Sequence, residues 1–269
     1  MSTTIRQMTI ADIPAGMRLK ELAGWNQTTT DWHRFFRLQS DGWFAAEVDG
    51  EFVGTVAAFI FGNVAWIALV LVDPEYRRHG IGTALMNRAL TFTGQRTVRL
   101  DATPLGQPIY EKLGFSGEYE LTRYAGVLTS TTTTVTKPDS LEIVTKLDLQ
   151  TTATPRARLL EALAAENGAT TRVVNNTGYL MDRPGSHATH IGPAIAIDEA
   201  SGLALFNDAA RRLAGRPVFL DIPVANRPAI AWAEAAGLKA QRNFLRMRRG
   251  PAIAEQPHQI WASSGPEKG

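Results

Sequence analysis

The sequence predicts an α/β (α+β) protein of mixed sheets flanked by helices, arranged as two related halves of which the second is degenerate. Three observations carry this expectation. Antiparallel strand signals precede a strand–helix–strand crossover. A threonine-rich tract ending in Lys137-Pro138 divides the chain. A spaced set of residues recurs on either side of that tract: Leu100-Asp101, Pro104, Pro108, Gly114-Phe115 and Arg123 in the first half, and Leu220-Asp221, Pro223, Pro228, Gly237-Leu238 and Arg246 in the second. A repeat this long points to duplication rather than a solenoid.

The elements follow in order. Residues 4–10 read as a short strand, and residues 13–23 as a helix ended by Gly24. Residues 31–38 form a second helix with Thr30 or Asp31 as its N-cap. Residues 42–48 and 52–61 flank Asp49-Gly50, the preferred pair for a type I′ hairpin turn. Residues 52–72 run 21 positions without a charge, long enough to span a bilayer. Gly62-Asn63 divides that run between β-branched and aromatic flanks, so two antiparallel strands are expected and no membrane segment. A helix from Ile81 sets Ile81, Leu85, Ala89 and Phe92 on one face and stops at Gly94. Residues 98–102 give the next strand, 107–113 a short helix, and Gly114-Phe115 opens another strand.

Residues 129–136 hold six threonines in eight positions and suit an edge strand or an extended linker. The boundary is placed there, giving units 1–136 and 137–269. The second unit opens with residues 141–145, then a helix over about 155–167. Residues 191–197 and a helix over 201–213 mirror the strand and helix on either side of residue 75. The tail beyond Gly250, with Pro251, Pro257 and Pro266, reads as loosely held.

Composition narrows the function. With 44% hydrophobic and 20% charged residues, the chain is neither disordered nor fibrous. It has no cysteine, which removes disulfides, thiolate metal sites and any acyl transfer through a protein thiol. A net charge of +2 without a dense basic cluster gives little footprint for nucleic acid. The first ten residues hold no long apolar stretch, so no secretory signal is expected and a cytoplasmic location is.

The chemistry-bearing motif is Arg77-Arg78-His79-Gly80-Ile81-Gly82-Thr83, between an apolar strand and a helix. A helix start exposes unpaired N–H groups and the positive end of the helix dipole, which suits a diphosphate. Gly80 and Gly82 let the backbone approach the anion, and Arg77 and Arg78 add positive charge. Neither a Walker lysine nor the third glycine of a dinucleotide fingerprint is present.

With Ile109-Tyr110-Glu111-Lys112-Leu113-Gly114-Phe115 after the next strand, the chain resembles the GNAT superfamily of N-acetyltransferases. The Trp25-Asn26-Gln27 and Leu100-Asp101-Ala102-Thr103-Pro104 segments, with the second half, resemble the bacterial YitH-like group of two fused GNAT-type halves. The resemblance implies that Arg78, His79, Gly80, Ile81, Gly82 and Thr83 hold the diphosphate of acetyl-CoA through backbone amides. Val70, Leu71 and Val72 would bind its pantetheine, with the Val70 N–H polarising the thioester carbonyl. Tyr110 would protonate the departing thiolate, its bland alternative being a core aromatic. Where many relatives carry a basic side chain, Trp66 and Ala68 stand here. Asp101 is the best remaining carboxylate, with a structural role or a water relay as alternatives.

In the second half no Arg-x-x-Gly-x-Gly loop precedes the helix, and Ala233 stands where the tyrosine would be, although Asn226 keeps the asparagine spacing. That half is expected to complete the sheet and wall the acceptor cleft without binding CoA. Tyr179, Arg183, His187 and His190 cluster before Ile191 and could face an acceptor, although hairpin and strand-surface positions are the stronger reading; their spacing gives no case for a metal. Trp25, Asn26 and Gln27 are expected to recognise the acceptor. The resulting expectation is transfer of an acetyl group to a primary amine of a small molecule, with no metal or nucleic-acid partner, by a monomer or homodimer. The alternative is a non-catalytic acyl-CoA-binding regulatory module.

Overall fold

A computed structural model describes residues 2–138 and 140–267. The first half runs β1 (Thr3–Gln7), α1 (Ile13–Leu22), α2 (Thr29–Leu38), β2 (Trp43–Val48), β3 (Glu51–Phe61), β4 (Val64–Val72), α3 (Ile81–Thr93), β5 (Thr97–Ala102), α4 (Gln107–Lys112) and β6 (Ser116–Val127). The second runs α5 (Glu142–Thr152), α6 (Ala157–Ala164), β7 (Thr170–Val174), β8 (Gly178–Arg183), β9 (Thr189–Ala196), α7 (Glu199–Arg212), β10 (Pro217–Pro223), α8 (Arg227–Ala235), β11 (Lys239–Arg249) and β12 (Ile260–Ala262). The uncharged run at residues 52–72 is two antiparallel strands joined at Gly62-Asn63. No helix of the described residues is long and apolar enough to cross a membrane.

The twelve strands of the described residues form one sheet, ordered β1-β2-β3-β4-β5-β11-β6-β10-β9-β8-β7, with β12 paired to β9. Apart from β1, which has no counterpart, the order is symmetric about the β11–β6 pair, and the halves exchange their last long strands there. β11, from the second half, lies between β5 and β6, while β6 lies against β10. The repeated acidic and basic residues meet across this exchange. Arg246 clamps Asp101 at 2.8 and 3.0 Å, and Arg123 clamps Asp221 at 2.7 and 2.8 Å. Each arginine thus pairs with the aspartate of the other half. Both pairs are bidentate and almost wholly buried, the geometry in which such bonds are strongest. Arg246 also lies over the Trp66 ring at 4.8 Å.

Three expectations are corrected, and for residues 129–136 the linker alternative holds over the edge strand. The cap of α2 is Thr28, whose hydroxyl accepts from the Asp31 N–H while the Asp31 carboxylate accepts from the Thr28 N–H. This reciprocal box outcompetes a cap further along. Residues 129–136 form no strand apart from a bridge between Thr136 and Val173; they follow α7, with the Thr131 hydroxyl donating to the Asn207 carbonyl at 2.6 Å. The stretch 141–167 holds two helices, separated where Ala153 takes a left-handed conformation ahead of Pro155. Proline disfavours helix at the residue before it, so the first helix stops short.

The tail is not loose. Trp261 is 2% exposed, and its indole packs on Gly202 of α7, where even a Cβ would collide. Burial alone would raise the Glu255 carboxyl, but Arg246 and Arg99 hold it down at about 2. The prolines there shape an ordered path instead of marking a free end.

A chain ending at Pro138 should fail to fold, because β6 would lose both neighbours and β5 one. Circular dichroism with urea titration is expected to show no cooperative transition. A stable, cooperatively melting monomer would contradict the exchange.

Candidate active site

β4 and β5 pair in parallel only from Val64 to Trp66, opposite Thr97 to Arg99. Beyond Trp66 the strands part. The register of β4 against β3 shifts in the same stretch, and Leu69 there has φ of +53°. This bulge turns the β4 backbone away from β5 and leaves its polar groups on that side without a strand partner. The gap opens into a cleft of about 820 Å³ whose walls come from both halves.

At one end lies the start of α3. Gly80 is its N-cap at φ +78°, with no side chain capping the helix, and the first backbone bond runs from Ala84 back to Gly80. The N–H groups of Ile81, Gly82 and Thr83 therefore have no helical acceptor. A Cβ on Gly82 would meet only Val72, at 3.7 Å, and one on Gly80 nothing within 4 Å. Arg77 donates to the Val72 carbonyl at 3.2 Å, which holds the loop beside the strand end. Val70, Leu71, Val72, Arg77, Arg78, Gly80, Ile81, Gly82 and Thr83 all line the cleft, whereas His79 is exposed outside its lining.

Tyr110 reaches the cleft from α4, edge-on to Phe115, and burial pushes its phenol up to about 12. Asp101 also borders the cleft, but its side chain is 1% exposed and both oxygens accept from Arg246. Burial raises its carboxyl above the usual range, against the pull of Arg246. Trp66 supports that pair and donates from Nε1 to the Pro266 carbonyl at 3.1 Å. Ala68 lines the cleft as a small apolar residue. The cleft carboxylates Asp31, Asp101 and Glu267 each have an arginine partner: Asp31 has Arg34 and Arg183, and Glu267 has Arg183 at 3.2 Å.

Trp25, Asn26 and Gln27 line the cleft, on the loop between α1 and α2. The Asn26 side chain is already engaged: its Nδ2 donates to the Ala188 carbonyl, and its Oδ1 accepts from the His187 and Ala188 N–H groups. It clasps the second half to the first, a structural role that the sequence did not show. Gln27 is 8% exposed, and its Oε1 accepts no hydrogen bond.

From the second half come residues that the sequence underrates. Arg183 and His190 are buried and line the cleft, contrary to their reading as strand-surface positions, and Arg242 and Phe244 of β11 join them. Strand exchange brings β11 here, and no local pattern announces it. His187 is exposed, and Tyr179 is buried against Asp148, away from the cleft.

The equivalent gap in the second half is filled. β9 and β10 pair in parallel only at Thr189 and His190, opposite Val218 and Phe219. Beyond that, β12 pairs with β9, the Ser263 N–H donates to the Asp221 carbonyl at 2.8 Å, and Asn226 holds the Ile260 carbonyl at 3.0 Å. The chain's own tail lies where the first half leaves an opening. Asp198 caps α7 by accepting from the Ser201 N–H, so that helix start is also occupied.

The acetyltransferase (GNAT) family model matches residues 14–115, and a second GNAT-domain model matches residues 144–262. The chain belongs to the GNAT acetyltransferase family, with one GNAT domain in each half. It is similar to the holothin acyltransferase of Pseudoalteromonas sp., 27% identical over 91% of this chain and 87% of that one. It is also similar to the uncharacterized N-acetyltransferase YitH of Bacillus subtilis, 38% identical over 34% of this chain and 30% of that protein. Among solved structures it resembles a candidate acetyltransferase from Pyrococcus horikoshii, with 26% identity and a TM-score of 0.90, covering 99% of this chain and 96% of that one. This GNAT chain is therefore a transferase of acyl groups, with one opened strand pair and one closed.

Gly82→Glu should abolish acyl-CoA binding while leaving the fold intact. The new side chain meets no atom closer than ordinary contact at its Cβ, and a carboxylate suits a helix start, so stability should change by no more than about 0.5 kcal/mol. Calorimetry with CoA and a thermal melt of the same sample check both halves of this expectation.

Proposed function

We propose that the protein transfers an acetyl group from acetyl-CoA to a primary amine of a small molecule, at a single site in unit 1–136, and that it works in the cytoplasm as a monomer or homodimer. Unit 137–269 would complete the sheet and supply one wall of the acceptor end. The observation that carries this reading is the parting of β4 from β5 directly beside the uncapped start of α3. That arrangement fits acetyl-CoA part by part. The free N–H groups at residues 81–83, with Arg77 and Arg78, suit the diphosphate, and the unpaired edge of β4 at Val70, Leu71 and Val72 suits the pantetheine amides. Bound there, acetyl-CoA supplies the thioester that the amine attacks.

The Val70 N–H is assigned to the thioester oxygen, where it would stabilise developing negative charge. Tyr110 holds the proton that the departing sulfur takes as the C–S bond breaks, and a phenol raised to about 12 keeps that proton at every working pH. His79 is given no role. Every cleft carboxylate, Asp101 included, already has a cationic partner. The amine therefore enters deprotonated; after the C–N bond forms its surplus proton leaves through water, and water returns a proton to the Tyr110 phenolate, closing the balance.

For acetyl transfer to an amine panel, the rate should rise with pH as each amine deprotonates, with no falling limb up to about pH 10. A histidine base would instead place an inflection at about pH 6–7. Tyr110→Phe should lower kcat by roughly 100-fold with CoA affinity unchanged, the usual scale for a positioned proton donor. Tight CoA binding with no turnover on any amine would favour the regulatory-module reading instead.

A further inference from the structure

The charges of the acceptor end are compensated with one exception. Arg123 is neutralised by Asp221, Arg246 by Asp101, and Arg183 by Glu267 and Asp31. Arg242 lines the same cleft, and its side chain forms no ion pair or hydrogen bond among the described residues. It lies directly across from Arg123 in the β11–β6 register, two positions from Phe244 on the same face of β11. Phe244 lines the cleft and supports the Arg123 guanidinium at 5.2 Å from its ring centroid. Burial, then the like charge of Arg123, pulls the Arg242 pKa below its ordinary value, against a smaller opposing pull from Asp221, which Arg123 already holds. A half-buried guanidinium next to another cation is penalised until an anion reaches it. Gln27, on the wall contributed by the first half, brings an amide whose oxygen has no hydrogen-bond partner. Rotation of that amide can offer either a donor or an acceptor to a polar ligand.

We infer that the acceptor is an amine that also carries a carboxylate, an amino-acid-like molecule, and that Arg242 holds that carboxylate. This deepens the acetyl-transfer reading and relies on it for the amine only. Arginine is suited to the task because its planar fork matches a carboxylate with two parallel hydrogen bonds. A neutral amine would bring Arg242 no carboxylate, and the half-buried guanidinium would stay beside Arg123 without an ion-pair partner.

The test is calorimetry on the full chain saturated with CoA. The probes are N-acetyl α-amino acids with small, apolar, aromatic and charged side chains, each paired with its C-terminal amide. At least one acid should bind, and its amide should bind at least about 10-fold more weakly. Arg242→Gln should weaken the acid roughly 10- to 100-fold, the scale of a lost charged hydrogen-bond pair, without altering CoA affinity. Arg242→Lys, which keeps the charge but loses the fork, should fall between. Equal binding of acid and amide, indifference of the acid to Arg242→Gln, or no binding by any acid would overturn the inference. Acid binding without transfer to the parent amino acid would overturn the acetyl-transfer reading and leave this assignment standing. Transfer to amines regardless of their carboxylate and of Arg242 would do the reverse.

Discussion

The crossed ion pairs at the centre of the sheet are the constraint on which the molecule depends. Asp101 and Arg123 belong to one half, Asp221 and Arg246 to the other, and each carboxylate is bound by the arginine from across the exchange. Removing one member of such a buried pair strands a charge in the interior, at a cost of about 3–5 kcal/mol. The pairs can form only if β6 and β11 have passed each other into the opposite half. They therefore reward the exchanged sheet and penalise two separate ones, a specificity role distinct from raw stabilisation.

The exchange also decides where chemistry can occur. Both halves open a parallel strand pair after only two or three residues of register, because duplication gave both the same frame. In the first half the opening stays clear and faces an uncapped helix start. In the second, β12 and Trp261 fill it, and Asp198 caps the helix. β11 then carries Arg242 and Phe244 into the lining of the surviving cleft, while residues 187 and 188 are clasped by Asn26. A half that has closed its own opening still shapes the other one.

Much of this was legible in the sequence, and the limits have physical reasons. Hairpins, crossovers and the glycine loop announce themselves through local turn chemistry and periodicity, and the structure places them within a few residues of expectation. The repeat identified Asp101, Arg123, Asp221 and Arg246 as equivalent, but no linear pattern says that partners cross between copies. The same long-range pairing hid Arg242, whose neighbours in sequence are ordinary strand residues, and it left Arg183 and His190 as a weaker alternative to a strand-surface reading. The tail misled because three prolines resemble a free end, while Ile260-Trp261-Ala262 is the apolar segment that closes the second core. Asn26 was legible as a hydrogen-bonding residue, but not as one whose bonds are spent on residues 187 and 188.

One measurement bears most directly on the claim that a duplicated, exchanged fold keeps a single open site: the stoichiometry of acetyl-CoA binding to the full chain by isothermal titration calorimetry. The account predicts one equivalent per chain in a single transition. Two equivalents would contradict it, since β12 would then have to leave the second opening, and no binding at all would remove the site itself.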